Sequence, residues 1–161
     1  MRIALDGDAV VFADESERIY QENGLQAFLE HETQNAQVPM QSGPFGNFLL
    51  KLAMIRDAVR RSDGSSLVRI AIVTARNAPA HERVVHTLRR WGTPADEAHF
   101  VGAHPKGPIL KAFAAHIFFD DQEKHILSAA PLVPSGYVPG KIHASLPTVT
   151  DSMLNLTDES T

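Results

Sequence analysis

The stretch Met1–Leu5 (MRIAL), followed directly by Asp6–Asp8 (DGD), decides the fold. A short apolar run that ends in polar or turn residues is typical of a buried strand. Leu67–Val73 (LVRIAIV) repeats this pattern and runs into Thr74. The two segments therefore predict strands of a covered sheet, each with a polar side chain at its carboxyl end.

Three later segments extend the strand pattern. They are Ala98–Gly102, His116–Phe119 and a weaker one at Leu132–Val133. Helical segments lie between the strands, and this alternation predicts a parallel sheet with helices on both faces. Residues 1–161 are accordingly expected to form one α/β domain with a Rossmann-like sheet.

Apolar residues at helical spacing predict two helices that pack on the sheet. The predicted buried faces are Phe48, Leu52, Ile55 and Val59 in the first helix and Val84, Leu88 and Trp91 in the second. Asn77 is the expected cap of the second helix, with Pro79 in its first turn and Gly92 at its end. Pro108 has the same first-turn position in a later helix that runs through Phe113.

Residues 15–61 do not follow the alternation of strands and helices. They contain two helix-like segments around the polar loop 33–47 and lack a convincing strand. Because this stretch comes directly after the first strand, we interpret it as an insert that folds into a small helical cap over the edge of the sheet. Residues 151–161 are interpreted as a frayed polar tail.

Composition excludes several classes of function. The 161 residues carry 15 Lys and Arg against 19 Asp and Glu, a net charge of −4, without the basic stripe that binds a nucleic-acid backbone. The lack of cysteine excludes disulfides, thiolate zinc sites, iron–sulfur clusters and a cysteine nucleophile. No apolar run approaches the roughly 18 residues of a membrane span, so a soluble cytoplasmic protein is expected.

Chemically reactive side chains recur at the predicted strand ends. Asp6 and Asp8 follow the first strand, Thr74 the second and Asp120–Asp121 the fourth, and Lys106 opens the helix before the fourth strand. Ligands of a parallel α/β sheet bind at the carboxyl ends of its strands, where these side chains would converge. Phosphoryl transfer requires such carboxylates, hydroxyl and ammonium groups around a hard divalent cation.

Each of these residues alone is more often structural than catalytic. A D-x-D at a strand end is commonly a turn or a helix cap, Thr74 is typical of a strand end, and Lys106 of a solvated first helical turn. Their joint occurrence in this order, each at the end of a separate predicted element, favours the catalytic interpretation.

Motifs of other enzyme classes are missing from the sequence. Gly102–Pro108 (GAHPKGP) has neither the spacing nor the Ser or Thr of a Walker A loop, and neither G-x-G-x-x-G nor G-x-S-x-G is present. The eight histidines show no H-x-H or H-E-x-x-H spacing, since His31 and Glu32 are followed by Asn35. The sequence thus disfavours nucleoside triphosphatases, dinucleotide enzymes, serine hydrolases and a catalytic zinc site.

The order D-x-D, Thr, Lys and D-D resembles the four motifs of the haloacid-dehalogenase (HAD) superfamily of phosphotransferases. The local sequence is similar to one family within it, the cytosolic type I 5'-nucleotidases, which remove phosphate from nucleoside monophosphates. The segments that carry this resemblance are Ile3–Val10, Asp14–Arg18, Phe28–Glu32, Val73–Pro79, Lys106–Pro108 and Ile117–Gln122. They extend over most of the chain from Arg2 to Gly140, correspond to the catalytic C-terminal half of longer family members, and imply a HAD fold.

The resemblance implies a role for each residue at the strand ends. Asp6 would attack phosphorus and form an aspartyl-phosphate, and Asp8 would protonate the leaving 5'-oxygen and then deprotonate the attacking water. Gly7 between them leaves the backbone room to approach the phosphate. Thr74 and Lys106 would present a hydroxyl and a positive charge to the phosphoryl oxygens.

Mg²⁺ is the cofactor that the resemblance implies. A carboxylate oxygen of Asp6, the backbone carbonyl of Asp8 and a carboxylate of Asp120 or Asp121 would hold the ion, with phosphate and water completing an octahedral oxygen shell. The sequence leaves open which of the two adjacent aspartates is a direct ligand.

The expected function is Mg²⁺-dependent hydrolysis of nucleoside 5'-monophosphates, with a modest preference for purine nucleotides. One alternative is a phosphatase for another small phosphorylated metabolite. Another is a non-catalytic phosphate-binding module similar to a receiver domain, although a receiver carries its acidic pair on the first strand, whereas Asp120–Asp121 comes last. A chain that matches only half of a family member could also bind phosphate without turnover.

Recognition of the base is assigned to the insert. Tyr20, Phe45 and Phe48 would stack a nucleobase if residues 15–61 form a cap, although aromatic residues at helical spacing are also typical of a core. Arg76, in the loop after the second strand, would either reach substrate or form a structural ion pair. A partner subunit or a second copy of the chain is expected to improve closure of the site.

Overall fold

The computed structural model describes residues 1–139, which contain a five-stranded sheet. The strands are β1 (Arg2–Leu5), β2 (Arg69–Thr74), β3 (Glu97–Phe100), β4 (Ile117–Asp120) and β5 (Ser135–Tyr137). All neighbouring strands are parallel and lie in the order β3-β2-β1-β4-β5, so β1 is the central strand. The predicted parallel α/β sheet is confirmed.

Five α-helices and one π-helical turn connect these strands within residues 1–139. The helices are α1 (Glu15–Gln34), α2 (Gly46–Ala58), α3 (His81–Arg90), α4 (Gly107–Phe113) and α5 (Glu123–Ala129). The π-helical turn, Gly7–Val11, follows β1 directly and carries the chain away from the sheet edge. α1 is interrupted at Gly24, whose φ of 82° lies in the region that favours glycine.

Alternate residues of the central strand face opposite layers of helices. Ile3 and Leu5 belong to a buried cluster to which α2 contributes Leu49 and α3 contributes Val84. Ala4 belongs to a second cluster, which includes buried residues of α4 and α5. Helices therefore cover both faces of the sheet, as the alternation of elements predicts.

The predicted buried face of α2 is confirmed for Leu52 and wrong for its other three residues. Phe48, Ile55 and Val59 are between 37% and 49% exposed. The buried residues of this helix are Gly46, Leu49, Leu52, Ala53 and Arg56. Apolar residues lie on more than one side of α2, so periodicity alone does not determine its rotation. The loop before the helix constrains it instead, because the backbone N–H of Phe45 donates to the carbonyl of Val10 at 2.8 Å.

The predicted face and end of α3 are confirmed. Val84 and Leu88 are buried, and Trp91 packs against the same core. The helix ends before Gly92, whose φ of 67° is typical of a helix-terminating glycine. Pro108 likewise lies in the first turn of α4, as predicted.

The predicted start of α3 is wrong. The helix begins at His81, so Pro79 precedes it rather than lying in its first turn, and no side chain caps it. Asn77 takes part through its backbone instead, because its carbonyl accepts a hydrogen bond from the N–H of His81 at 3.1 Å. This hydrogen-bonded turn separates β2 from α3, so the helix begins only at His81.

The last strand lies further along the chain than the apolar pattern indicates. The pair Leu132–Val133 predicts a strand, whereas β5 begins at Ser135. The pair closes the turn after α5, since both of its N–H groups donate to the carbonyl of Ala129. Pairing with β4 starts at Pro134, whose carbonyl accepts from the N–H of Phe118 at 2.9 Å.

The two helices expected in residues 15–61 are α1 and α2. α2 belongs to the layer on one face of the sheet, whereas the buried residues of α1 are Ser16 and Glu32. That this stretch acts as a cap stays a prediction, and the tail 151–161 lies outside the described residues. Among residues 1–139, no helix has the length and hydropathy needed to cross a membrane.

Candidate active site

Three of the predicted site residues lie together at the carboxyl ends of adjacent strands. Asp6 follows β1, Thr74 ends β2 and Asp120 ends β4, and each is at most 4% exposed. The N–H of Asp6 donates to the carbonyl of Phe119 at 2.9 Å, which continues the ladder between β1 and β4 into the site. The parallel arrangement thus brings together residues that are far apart in sequence.

Lys106 joins two of these carboxylates. Its Nζ lies 2.8 Å from Asp6 Oδ1 and donates to Asp120 Oδ2 at 2.7 Å, although the residue is only 1% exposed. Burial acts to lower the pKa of this ammonium, but the charges of Asp6 and Asp120 outweigh it and raise the pKa. A buried charge is tolerable only with such partners, so Lys106 is a fixed cation inside the site.

Asp6 and Asp120 differ in how strongly their carboxylates are compensated. Burial and the charges of Asp120 and Asp8 outweigh Lys106 and raise the pKa of Asp6 to about 6. For Asp120, burial is outweighed by hydrogen bonds from His125, Lys106 and the N–H of Gln122, so its pKa is lowered. Asp6 is therefore the carboxylate with uncompensated negative charge, which a further cation would stabilise.

Asp121 has a buried oxygen without a partner. Its Oδ1 makes no hydrogen bond to any group of residues 1–139, and burial followed by the charges of Asp6 and Asp120 raises its pKa to about 7. Buried polar atoms are normally paired, so a carboxylate oxygen without a partner in the described residues, among other carboxylates, fits the coordination of a cation. The residues present therefore fit a hard divalent metal ion.

A second set of ligand atoms lies beside Asp121. Asp6, Asp120 and His125 each offer one ligand atom within 4.8 Å of the others. The Nδ1 of His125 is 3.1 Å from Asp120 Oδ2, so this ring contacts a carboxylate of the site directly. Histidine spacing in the sequence gives no sign of this contact, which arises because α5 starts directly behind β4.

Gly7 allows the first strand end to approach Thr74. A Cβ atom at Gly7 would lie 3.2 Å from Thr74 Oγ1, closer than side chains usually pack. The same hydroxyl accepts a hydrogen bond from the N–H of Arg76 at 3.3 Å. The structure thus places the predicted hydroxyl donor against the backbone between Asp6 and Asp8.

Asp8 is turned toward Arg76. Nε and Nη2 of Arg76 donate to the two carboxylate oxygens of Asp8 at 2.7 and 2.6 Å. Arg76 is 3% exposed, and although burial opposes it, the charges of Asp8 and Glu32 raise its pKa further above the neutral range. Of the two roles that the sequence leaves open for Arg76, the structure shows the ion pair.

Glu32 connects α1 to this pair. Its Oε2 accepts from Nη1 of Arg76, and its Oε1 accepts from Ser16 at 2.8 Å and from Arg83 at 2.9 Å. Burial acts to raise the pKa of Glu32, but Arg76, Ser16 and Arg83 together lower it. Asp8, Arg76, Glu32 and Arg83 therefore form a continuous chain of alternating charges from the sheet edge into the helices.

The aromatic residues proposed for base stacking fall into two groups. Phe45 and Phe48 pack against each other and against Phe119 of β4, with Phe45 and Phe119 centroids 5.0 Å apart. Tyr20 packs edge-on against Phe28, with centroids 6.2 Å apart. The Phe28 ring also lies 5.4 Å from the guanidinium carbon of Arg76, so the second group is next to Asp8's partner.

Sequence reasoning missed Glu32, Arg83 and His125. Glu32 belongs to the segment Phe28–Glu32 that carries the family resemblance, but a glutamate inside a helix gives no sign of being buried. Arg83 directly precedes Val84 on the buried side of α3, where an arginine needs a buried partner, and this position was the available signal.

The chain is similar to known proteins over most of its length. The sequence model of the 5'-nucleotidase family matches residues 1–145. Human cytosolic 5'-nucleotidase 1B is 42% identical to the chain over 135 residues, which are 82% of this chain. The chain spans 22% of the length of that human protein. No solved structure matches the chain significantly.

Proposed function

Because this chain belongs to the 5'-nucleotidase family, we propose that it is a phosphomonoesterase that hydrolyses nucleoside 5'-monophosphates. One observation carries the proposal: the Lys106 ammonium bridges the buried carboxylates of Asp6 and Asp120 at the ligand-binding edge of the sheet. The name of the human relative refers to the cytosol and to this activity, and we propose both for this chain.

Asp6 is the proposed nucleophile. Its buried carboxylate directly follows the central strand, at the edge of the sheet where a phosphate would bind. Attack of a carboxylate oxygen on phosphorus gives an aspartyl-phosphate and releases the nucleoside, and water then hydrolyses this mixed anhydride. Lys106 keeps Asp6 in place and offers its remaining positive charge to the phosphoryl oxygens.

Asp8 is the proposed acid and base. It would donate a proton to the departing 5'-oxygen as Asp6 attacks and would take a proton from the water of the second step. Thr74 lies close to Gly7, and its hydroxyl would donate to a phosphoryl oxygen.

Asp6, Asp121 and the backbone carbonyl of Asp8 are the proposed holders of Mg²⁺. When bound, this ion supplies positive charge that offsets the phosphate and the clustered carboxylates. Asp120 is a weaker choice for direct contact, because Lys106, His125 and the N–H of Gln122 already bind its oxygens. The Asp120 carboxylate already accepts hydrogen bonds from the protein, whereas Asp121 Oδ1 has no hydrogen-bond partner within residues 1–139. This difference supports Asp121 over Asp120 as the direct metal ligand.

The side of the site next to Arg76 is the proposed base-binding region. Tyr20 is 48% exposed and packs on Phe28, whose ring lies 5.4 Å from the guanidinium carbon of Arg76, the partner of Asp8. Stacking on an aromatic ring is tolerant of base identity, and we expect only a modest preference for purines. A partner subunit or second copy that covers this edge would raise turnover by gripping the base more tightly.

A substrate comparison tests the proposed function. Phosphate release is measured with Mg²⁺ for AMP, IMP, CMP, glucose 6-phosphate and p-nitrophenyl phosphate, with Asp6→Asn as the inactive control. We expect nucleotides to be the best physiological substrates. A best substrate without a nucleobase would retain the phosphatase chemistry and contradict the nucleotidase assignment.

A further inference from the structure

Arg76 uses its whole guanidinium inside the protein. Besides the two bonds to Asp8 and the one to Glu32, Nη1 donates to the carbonyl of Ala80 at 3.2 Å and Nη2 contacts the sulfur of Met40 at 3.4 Å. An arginine side chain has five N–H donors, and these five contacts occupy all of them. Arg76 therefore has no donor left for a substrate phosphate.

The two bonds to Asp8 determine the plane of its carboxylate as well as its position. Parallel N–H donors on one guanidinium match the two oxygens of one carboxylate, and no other residue type can do this. Asp8 belongs to the π-helical turn after β1, where the next residue, Ala9, has a φ of 58°. Without Arg76, this short turn would leave the carboxylate free to rotate.

Arg76 is in turn fixed from α1. Glu32 is 1% exposed and binds Arg76 through one oxygen, while Ser16 and Arg83 bind its other oxygen. This arrangement leaves a single orientation for the Arg76 guanidinium. A helix outside the central sheet thus controls a carboxylate at the sheet edge.

We propose that Arg76 is a positioning residue, which orients Asp8 for proton transfer to and from substrate, and that Glu32 acts through Arg76. The proposal rests on the proposed function. In the first step, the Asp6–phosphorus bond forms, the bond from phosphorus to the 5'-oxygen breaks, and the proton moves from the Asp8 carboxyl to that oxygen. In the second step, water attacks phosphorus, its proton moves to Asp8, and Asp6 is released. Arg76 keeps its protons throughout.

The leaving group separates this role from a purely structural one. A nucleoside 5'-oxygen leaves poorly without a proton, whereas p-nitrophenolate leaves without help. Loss of Asp8 orientation should therefore slow the first step for the nucleotide and spare p-nitrophenyl phosphate. General loss of structure would slow both.

The experiment measures single-turnover rates of phosphoenzyme formation with AMP and with p-nitrophenyl phosphate for Arg76→Lys. Lysine keeps the charge but not the paired donors. We expect the rate with AMP to fall by about 30-fold and the rate with p-nitrophenyl phosphate by less than about 3-fold, with little change in KM for either. In an Asp8→Asn background, Arg76→Lys should cause no further selective loss.

Arg56→Lys is the matched control, because Arg56 is also a buried, ion-paired arginine but binds Asp57 and the carbonyl of Pro94. It should leave the ratio of the two rates unchanged. Glu32→Gln provides a second variant should Arg76→Lys fail to fold, and it should shift the ratio in the same direction by a smaller factor.

Equal slowing of both substrates by Arg76→Lys, an unchanged ratio in Glu32→Gln, or the same shift in Arg56→Lys would overturn the positioning role while leaving the phosphatase assignment intact. A wild-type chain that releases phosphate from neither substrate would overturn the proposed function and this inference together.

Discussion

Asp120 and Asp121 are neighbours in sequence but have opposite surroundings. Asp120 accepts hydrogen bonds from Lys106 at 2.7 Å and from the N–H of Gln122 at 2.8 Å, and its pKa is lowered despite burial. Asp121 has a buried oxygen without a partner, and burial raises its pKa to about 7. The Asp120 carboxylate is thus already bound by protein donors, whereas the Asp121 carboxylate is available to a cation.

The first prediction follows from this asymmetry. Asp121→Asn should raise the Mg²⁺ concentration needed for half-maximal activity by at least about tenfold, because it removes a charged oxygen ligand. Asp120→Asn should instead lower the free energy of unfolding, because it weakens the partner of buried Lys106. Magnesium titrations of phosphate release and thermal unfolding of the metal-free variants measure the two effects.

EDTA should abolish activity in the wild-type chain, and added Mg²⁺ should restore it. Full activity in excess EDTA would exclude the proposed metal. An Asp121→Asn variant with an unchanged Mg²⁺ requirement would assign the direct ligand to Asp120 instead.

The second prediction concerns pH and Glu32. Because its pKa in the folded protein lies below the ordinary value of 4.5, the ionised form stabilises the fold above that pH, and this contribution is lost as the pH falls further. Glu32→Gln should lower the free energy of unfolding by about 3 kcal/mol at pH 7, because it leaves Arg76 and Arg83 undercompensated. The difference should shrink as the pH falls from about 5 toward 3.

Glu30→Gln is the matched control for this prediction, because Glu30 is an exposed residue of the same helix and its side chain accepts a hydrogen bond from Gln26. Denaturant unfolding at a series of pH values gives the comparison. A stability difference for Glu32→Gln that stays constant down to pH 3 would rule out the lowered pKa of Glu32 in the folded protein.

The third prediction concerns Gly7. Alanine at this position places a Cβ 3.2 Å from Thr74 Oγ1, so the hydroxyl must move by a few tenths of an ångström. We expect turnover to fall by about tenfold because the hydroxyl is displaced. The free energy of unfolding should fall by only about 1 kcal/mol. Steady-state kinetics and denaturant unfolding on the same preparation separate the two effects.

Gly43→Ala is the informative contrast. Its Cβ would lie 2.2 Å from the carbonyl oxygen of Phe12, which is backbone and has no freedom to move away. This variant should lose stability first and activity as a consequence. If Gly7→Ala instead behaved like Gly43→Ala, the contact with Thr74 would be structural rather than catalytic.

The positions of β1, β2 and β4, and the site residues at their carboxyl ends, were predictable from the sequence. Apolar runs such as Met1–Leu5 are short and end in polar residues, so both the element and its carboxyl end can be located. The topology of a parallel sheet then brings Asp6, Thr74 and Asp120 together without further information. The structure agrees with this convergence.

Helix rotation and buried ion pairs were not predictable in the same way. α2 carries apolar residues on several sides, and only the loop bonded to Val10 and Val11 determines which of them face the core. Glu32 and Arg83 are charged residues whose burial is tolerated because they form an ion pair with each other. The position of Arg83 on the buried side of α3 indicates that it needs a partner, but which carboxylate pairs with it depends on tertiary contact between α1 and α3.

A phosphoryl group trapped on Asp6 is the most direct test of the account. The wild-type chain is mixed with AMP and Mg²⁺, quenched in acid within the first turnover and digested, and the peptide that contains Asp6 is examined by mass spectrometry. We predict the added mass of one phosphoryl group on Asp6, lost on treatment with hydroxylamine and missing in Asp6→Asn. Steady phosphate release from AMP without any phosphorylated Asp6 peptide would contradict nucleophilic attack by this carboxylate.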